Sequence, residues 1–117
     1  MSALRVHEDQ CRKILGEPFT EVHQFLDQYN DPVAHPFTAH LHRRRLHHLT
    51  GLQLVAQRFG GLAFLAACLH ILEDCLGYLP QESDYDTGVV DEYGRPKDPR
   101  LIDTHWFKKL TIRHRTS

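Results

Sequence analysis

Ten of the 117 residues are histidines, and His70 is the one best placed for chemistry because Glu73 and Asp74 follow it closely. Residues three or four positions apart share one face of a helix, so the three side chains fall on nearly the same face. Imidazole suits zinc and iron, whereas carboxylates suit harder ions such as manganese. We therefore predict His70, Glu73 and Asp74 as ligands of a divalent metal ion (zinc, manganese or iron).

Other histidines fall on the apolar or boundary faces of other predicted helices. His7 and His48 lie on apolar stripes, and we expect them to reach the same ion from neighbouring helices. His23 has Asp27 one turn further on, which predicts a supporting pair behind the ligands. Bundles with His and Glu at this spacing do hold metals in their cores.

The same residues also have a plainer interpretation. A histidine on an apolar face is most often a core residue that is hydrogen-bonded to a carboxylate or a carbonyl. His70 with Glu73 and Asp74 would then be a satisfied polar cluster without metal. If metal is bound, an open coordination position favours hydrolysis by a bound water, and a closed site favours a structural role.

The densest basic patch is Arg43-Arg44-Arg45. Three consecutive helix positions point in different directions, so they cannot all face one partner. Arg44 and Arg45 are predicted to flank the His48 stripe and to hold an anion such as phosphate, and the alternative is a solvated helix start with ion pairs. Nucleic-acid binding is unlikely, because the formal net charge is −1 and no aromatic residues are interleaved there.

Helical periodicity dominates the first two thirds of the chain, which predicts an all-α fold. The four predicted helices cover residues 3–15, 18–29, 37–59 and 62–76, with Ser2 as the cap of the first. The fourth is apolar nearly all round and is expected to be the central helix. We predict a four-helix bundle over residues 1–78, with a long, mostly irregular extension over residues 79–117 packed on the same single domain.

The extension is rich in Pro and Gly, and its predicted elements are short. Residues 88–94 could form a hairpin or an edge strand, and residues 101–110 a short helix that docks through Trp106 and Phe107. Seven acids and no Lys or Arg lie within residues 73–92, and seven bases lie within residues 95–117. These two blocks predict a homo-oligomer formed through the charged C-terminal region.

The composition is that of a globular protein, with 41% hydrophobic and 25% charged residues. The chain has no apolar signal core and no run long enough to span a membrane, so we expect a cytoplasmic protein with no membrane partner. The three cysteines show no metal-binding spacing and are expected to be reduced core residues.

An ordered series of motifs resembles a family of small bacterial and phage proteins classed as a domain of unknown function. The family pattern runs H … IHxWxD … RHRxLRHH … FG … HxxEDLGxIP, and the resemblance covers residues 6–85. The matching parts of this chain are His7, residues 22–27, residues 41–48, Gly51, Phe59-Gly60, residues 70–74, Gly77, Leu79 and Pro80. The chain departs from the pattern at Phe25, Leu41 and Arg45.

The resemblance implies a helical fold and supplies no activity. It draws attention to nine residues: His7, His23, Asp27, His42, His47, His48, His70, Glu73 and Asp74. The sequence contains no nucleophile elbow, phosphate loop or dinucleotide fingerprint. We therefore expect a binding or accessory module with a histidine and carboxylate cluster, and the alternative is a metal-dependent hydrolase-like enzyme acting on a phosphate-containing substrate.

Overall fold

The computed structural model describes residues 4–116, except for the side chains of His40 and of residues 112–116. This part of the chain is all-α, as predicted, and forms no strand. Its helices are α1 (Leu4–Leu15), α2 (Thr20–Leu26), α3 (Arg43–Leu46), α4 (Leu49–Phe59), α5 (Gly61–Asp74), α6 (Glu82–Thr87) and α7 (Trp106–Thr116), with short 3₁₀ helices at Ala39–Leu41 and Pro99–Leu101. The predicted cap Ser2 lies outside the described residues. Within them, no helix has both the length and the apolar character needed to cross a membrane.

Helix α5 is central, because α1, α2 and α4 all pack against it. Its inward side carries the small residues Ala63, Ala66 and Ala67, which are almost fully buried. Small side chains allow the neighbouring helices to approach closely, and this brings their polar groups near the C-terminal half of α5. The outer side exposes Leu62 and Leu65, so the helix is not buried all round.

The predicted helix over residues 37–59 is interrupted, which corrects the sequence-based expectation. The chain forms a 3₁₀ turn, then α3, and α4 starts only at Leu49. His48 adopts extended backbone and caps α4, since its ring accepts a hydrogen bond from the Gly51 N–H. A Cβ at Gly51 would lie 1.8 Å from the Leu46 carbonyl oxygen, so only glycine allows the chain to fold back this tightly.

The C-terminal region is more ordered than expected. Helix α6 begins with a capping box made by Gln81 and Asp84, and the predicted hairpin is reduced to a single bridge between Val90 and Pro96. The region is bound to the turn that follows α5, because the Asp103 N–H donates to the Leu76 carbonyl oxygen over 2.8 Å. Of the two predicted docking residues, Trp106 packs against the hydrophobic core, whereas Phe107 contacts the ring of Trp106.

Candidate metal centre

Four side chains from three parts of the fold converge beside α5. His70 and Asp74 lie one turn apart on α5, Asp27 follows the last turn of α2, and His47 lies in the break between α3 and α4. One ligand atom from each of the four lies within 4.8 Å of the others, and among the described residues His7, His23 and His70 form a second such group. We call Asp27, His47, His70 and Asp74 the His–Asp cluster.

The spacing within the cluster is close to that around a single ion. The His47 Nε2 lies 3.1 Å from the His70 Nε2 and 3.0 Å from Oδ2 of Asp74. The His70 Nε2 lies 3.2 Å from that Oδ2, and the Asp27 Oδ1 lies 3.4 and 3.5 Å from the two imidazole nitrogens. Ligands at about 2.0–2.1 Å in a tetrahedron are separated by about 3.3 Å. This buried His/Asp group could hold a metal ion.

A chain of hydrogen bonds behind His70 selects the tautomer that a metal needs. The Nε2 of His23 lies 2.9 Å from the Pro18 carbonyl oxygen, which can only accept, so this nitrogen carries a proton. The Nδ1 of a neutral His23 then accepts from the Nδ1 of His70, 3.0 Å away. The Nε2 of a neutral His70 is therefore left with a lone pair that points into the His–Asp cluster.

The second oxygen of Asp74 is held from another side. Its Oδ1 lies 3.3 Å from Nε2 of His7 and 3.5 Å from Nη2 of Arg43. The Arg43 guanidinium also donates to the carbonyl oxygens of Asp74 and Tyr93, at 2.9 Å in both cases. His7 stacks on His70 with ring centroids 3.7 Å apart, so both residues fix the orientation of the cluster.

His42 approaches the cluster from the 3₁₀ turn. Its Nδ1 donates to the Ala39 carbonyl oxygen over 3.1 Å. Its Nε2 lies 3.4 Å from Oδ1 of Asp27, and this contact helps to hold the pKa of the Asp27 carboxyl low. Among the described residues, neither ring nitrogen of His7 has a well-aligned hydrogen-bond partner, although its Nε2 lies 3.3 Å from Oδ1 of Asp74. His42 and His7 thus place two more imidazoles beside the carboxylates of the cluster.

Burial and the neighbouring charges move the pKa values of the cluster in opposite directions. Burial opposes the ionisation of both aspartates, yet the histidines around them hold each carboxyl pKa well below its usual range. Burial lowers the pKa values of His23 and His47 to about 4, so both are neutral at pH 7. Burial also opposes protonation of His70, but its contacts with Asp27 and Asp74 raise its pKa. A proton on His70 thus occupies the place that a metal would take.

The structure brings together five of the residues predicted from the sequence: His7, His23, Asp27, His70 and Asp74. Asp27, expected behind the ligands, is itself a member of the cluster. His48 lies elsewhere, because one ring nitrogen accepts from Gly51 and the other, 3.0 Å from the Arg45 carbonyl oxygen, donates to it. Glu73 is not a member of the cluster either, and it accepts a hydrogen bond from Gln10.

The two predicted anion-binding residues lie at the surface. Arg44 pairs with Asp86 at 2.8 Å, and Arg45 lies over the ring of Tyr29. The inward base is Arg43, whose side chain is only 2% exposed. Helical spacing did not identify Arg43 or His47, since Arg43 begins the short helix α3 and His47 lies in the break that follows it.

A cleft of about 410 Å³ lies next to two neighbours of the cluster, and the four cluster residues themselves do not line it. His42 and Arg43 form the part of its wall that also contacts Asp27 and Asp74. The other lining residues are Asn30, Pro32, Ala39, Tyr93 and Arg95. We call it the His42 cleft.

The chain matches no family model, no curated protein and no solved structure. The resemblance drawn from its motifs therefore stays a prediction.

Proposed function

We propose that this protein binds one divalent metal ion through Asp27, His47, His70 and Asp74 and uses it as a hydrolytic centre. The observation that carries the proposal is the convergence of these four ligand atoms within 4.8 Å of one another. Two imidazoles with two carboxylates suit zinc, manganese or iron. A hydrolytic role requires a further coordination position for water beyond these four ligands, which a five- or six-coordinate ion provides; such an ion would supply Lewis acidity and a water of lowered pKa.

The tautomer of His70 supports a metal at the cluster. Two carboxylates and two imidazole nitrogens share one small buried space, and the hydrogen bonds behind His70 leave its Nε2 without a proton when the ring is neutral. Buried anions are costly unless they are paired with cations. The Arg43 guanidinium offsets one of the two carboxylates, and a metal ion or a proton on His70 would offset the other.

Access to the cluster supports catalysis over a structural role. The side chains of His47, His70 and Asp74 are at most 1% exposed, whereas that of Asp27 is 29% exposed. Water or a substrate would thus approach on the Asp27 side. The His42 cleft, at about 410 Å³, has the volume of a small-molecule site. Asp27, which contacts His42 in the wall of the cleft, would be the ligand nearest to solvent.

The test begins with protein purified without a His-tag. Elemental analysis should find close to one equivalent of zinc, manganese or iron, and removal of the metal should lower the melting temperature. Metal at a hundredfold excess over its dissociation constant stabilises the native state by about 3 kcal/mol. His70→Ala should abolish this gain, whereas His105→Ala, which changes an exposed histidine, should keep it. A metal-free protein that is indifferent to all three metals and to chelators would contradict the proposal.

The second candidate is a binding or accessory module without catalysis, and the near-complete burial of three of the four donors favours it. In that case the protein would keep its metal, or its proton, and hydrolyse no ester or phosphate substrate. Assays with p-nitrophenyl acetate and p-nitrophenyl phosphate on the metal-loaded protein distinguish the two roles.

The accessory role includes the predicted homo-oligomer. Light scattering over a range of concentrations should then find an oligomer at low salt that dissociates at high salt, because charge pairs between copies are screened. A monomer under every condition would remove this version.

A further inference from the structure

The His42 cleft has two arginines in its wall, and the acid that pairs with Arg43, Asp74, lies outside the cleft. Arg43 and Arg95 both line it, and no carboxylate is among its lining residues. Arg43 is 2% exposed, and its Nε has no hydrogen-bond partner. A buried guanidinium with an unused donor beside an open cleft attracts an anionic group.

The remaining wall is suited to an apolar body. Pro32 and Ala39 contribute aliphatic surface, and Tyr93 contributes part of an aromatic ring. The guanidinium of Arg95 lies 6.0 Å from the centre of that ring, so the charge and the apolar surface are adjacent. A ligand with an anionic end and a short apolar body uses both features.

The orientation of such a ligand in the cleft follows from the position of Arg43. Its guanidinium lies 3.5 Å from Oδ1 of Asp74, and the neighbouring His42 lies 3.4 Å from Oδ1 of Asp27. An anionic group bound to Arg43 would therefore be held at the end of the cleft that faces the His–Asp cluster. This end is where a hydrolytic centre would require the scissile bond.

We propose that the His42 cleft is a substrate site for small organic anions, with the anionic group on Arg43 and Arg95 and the apolar part on Pro32 and Tyr93. The substrate assignment rests on the proposed hydrolytic function. The binding of an anion does not, because the two arginines hold their charge with or without metal.

The experiment uses phenylphosphonate, which carries a phosphate-like anion and an aryl group and cannot be hydrolysed as an ester. It is titrated into both metal-loaded and metal-free full-length protein and followed by calorimetry and by the NMR shifts of Ala39, Tyr93 and Arg95. Arg95→Gln removes one charge of the cleft. Arg100→Gln is the matched control, because Arg100 is exposed, pairs with Asp98 and lies outside the cleft.

Saturable binding with shifts confined to the cleft is expected. Arg95→Gln should weaken it about tenfold, which corresponds to the loss of one charge-assisted contact, and Arg100→Gln should leave it unchanged. Ala39→Phe, which fills the cleft from its wall, should abolish binding and leave metal content unchanged. Inorganic phosphate should bind more weakly than phenylphosphonate, and benzoate tests whether a carboxylate serves as the anion.

Absence of binding in both forms of the protein would overturn the inference. The inference would also be overturned by NMR shifts outside the cleft, by inorganic phosphate binding as tightly as phenylphosphonate, or by binding that neither cleft substitution changes. These results are separable from a failure of the proposed function. A protein that takes up no metal but binds phenylphosphonate in the cleft would refute the metal centre and keep the anion site. A metal-loaded protein that binds no anion would refute the anion site and keep the metal centre.

Discussion

Replacing Asp74 by Asn removes the charge at the middle of the cluster and preserves the volume of the side chain. The carboxylate of Asp74 is 1% exposed and lies 3.0–3.5 Å from His7, Arg43, His47 and His70. Removal of one partner from a buried charged network costs about 3–5 kcal/mol, because the remaining charges keep their desolvation penalty. A domain of this size has a total stability of about 5–15 kcal/mol, so the variant would lose a large part of it.

The assay is urea unfolding of the metal-free protein in chelator at pH 7.5. Asp86→Asn is the matched control: it makes the same chemical change at a carboxylate that is 69% exposed and paired with the exposed Arg44. That variant should lose no more than about 0.5 kcal/mol. Added metal should stabilise the wild-type protein and the control, but not Asp74→Asn, because an anionic ligand is missing.

The reasoning fails if the free energy of unfolding of Asp74→Asn lies within about 1 kcal/mol of the wild-type value and depends on urea concentration with the same slope. Such a result would mean that the carboxylate is not part of a buried charged network. Normal stabilisation of Asp74→Asn by metal would separately contradict the assignment of Asp74 as a ligand.

Three further predictions concern groups around the cluster. The free energy of unfolding of the metal-free protein should fall as the pH is lowered from 6.5 to 4, by up to about 3 kcal/mol per histidine. The reason is that His23 and His47 are protonated near pH 6.5 in the unfolded chain but only near pH 4 in the folded chain. A free energy of unfolding in urea that does not change over this pH range would contradict the prediction. His48→Ala should cost about 2 kcal/mol through loss of the cap of α4 and leave metal content unchanged, whereas loss of metal would identify it as a ligand. Burial raises the pKa values of the Cys11 and Cys75 thiols to about 11 and 12, so a disulfide reagent at pH 8 should modify them only after denaturation, and rapid labelling of the native protein would count against their burial.

The central part of the fold could be predicted from the sequence because its signals are local. The apolar run of α5 and its three alanines identify a central helix that neighbours approach closely. The break between α3 and α4 could not be predicted in this way. It depends on hydrogen bonds made only in the folded chain. The two main ones run from the Gly51 N–H to the His48 ring and from the Leu49 N–H to the Pro80 carbonyl oxygen.

The same break explains which parts of the candidate site were predicted. The sequence predicts His70 and Asp74 on one face, and they lie there because both belong to the uninterrupted α5. Helical counting through residues 47–48 puts His48 on the apolar stripe, but the helical phase is lost at these residues. The structure turns His47 to the cluster instead, and no periodicity argument on residues 37–59 could have distinguished the two histidines.

The uneven exposure of the cluster has a consequence for the rate of metal exchange. Asp27 is the only member with appreciable solvent access, and the chain beyond it, residues 28–42, consists of turns and one short 3₁₀ helix. An ion at the cluster could leave only past Asp27, so its release would require this segment to open. Loss of metal to a strong chelator would then follow the opening rate of the segment and become independent of chelator concentration, so a slow release would reflect a barrier and not a high affinity.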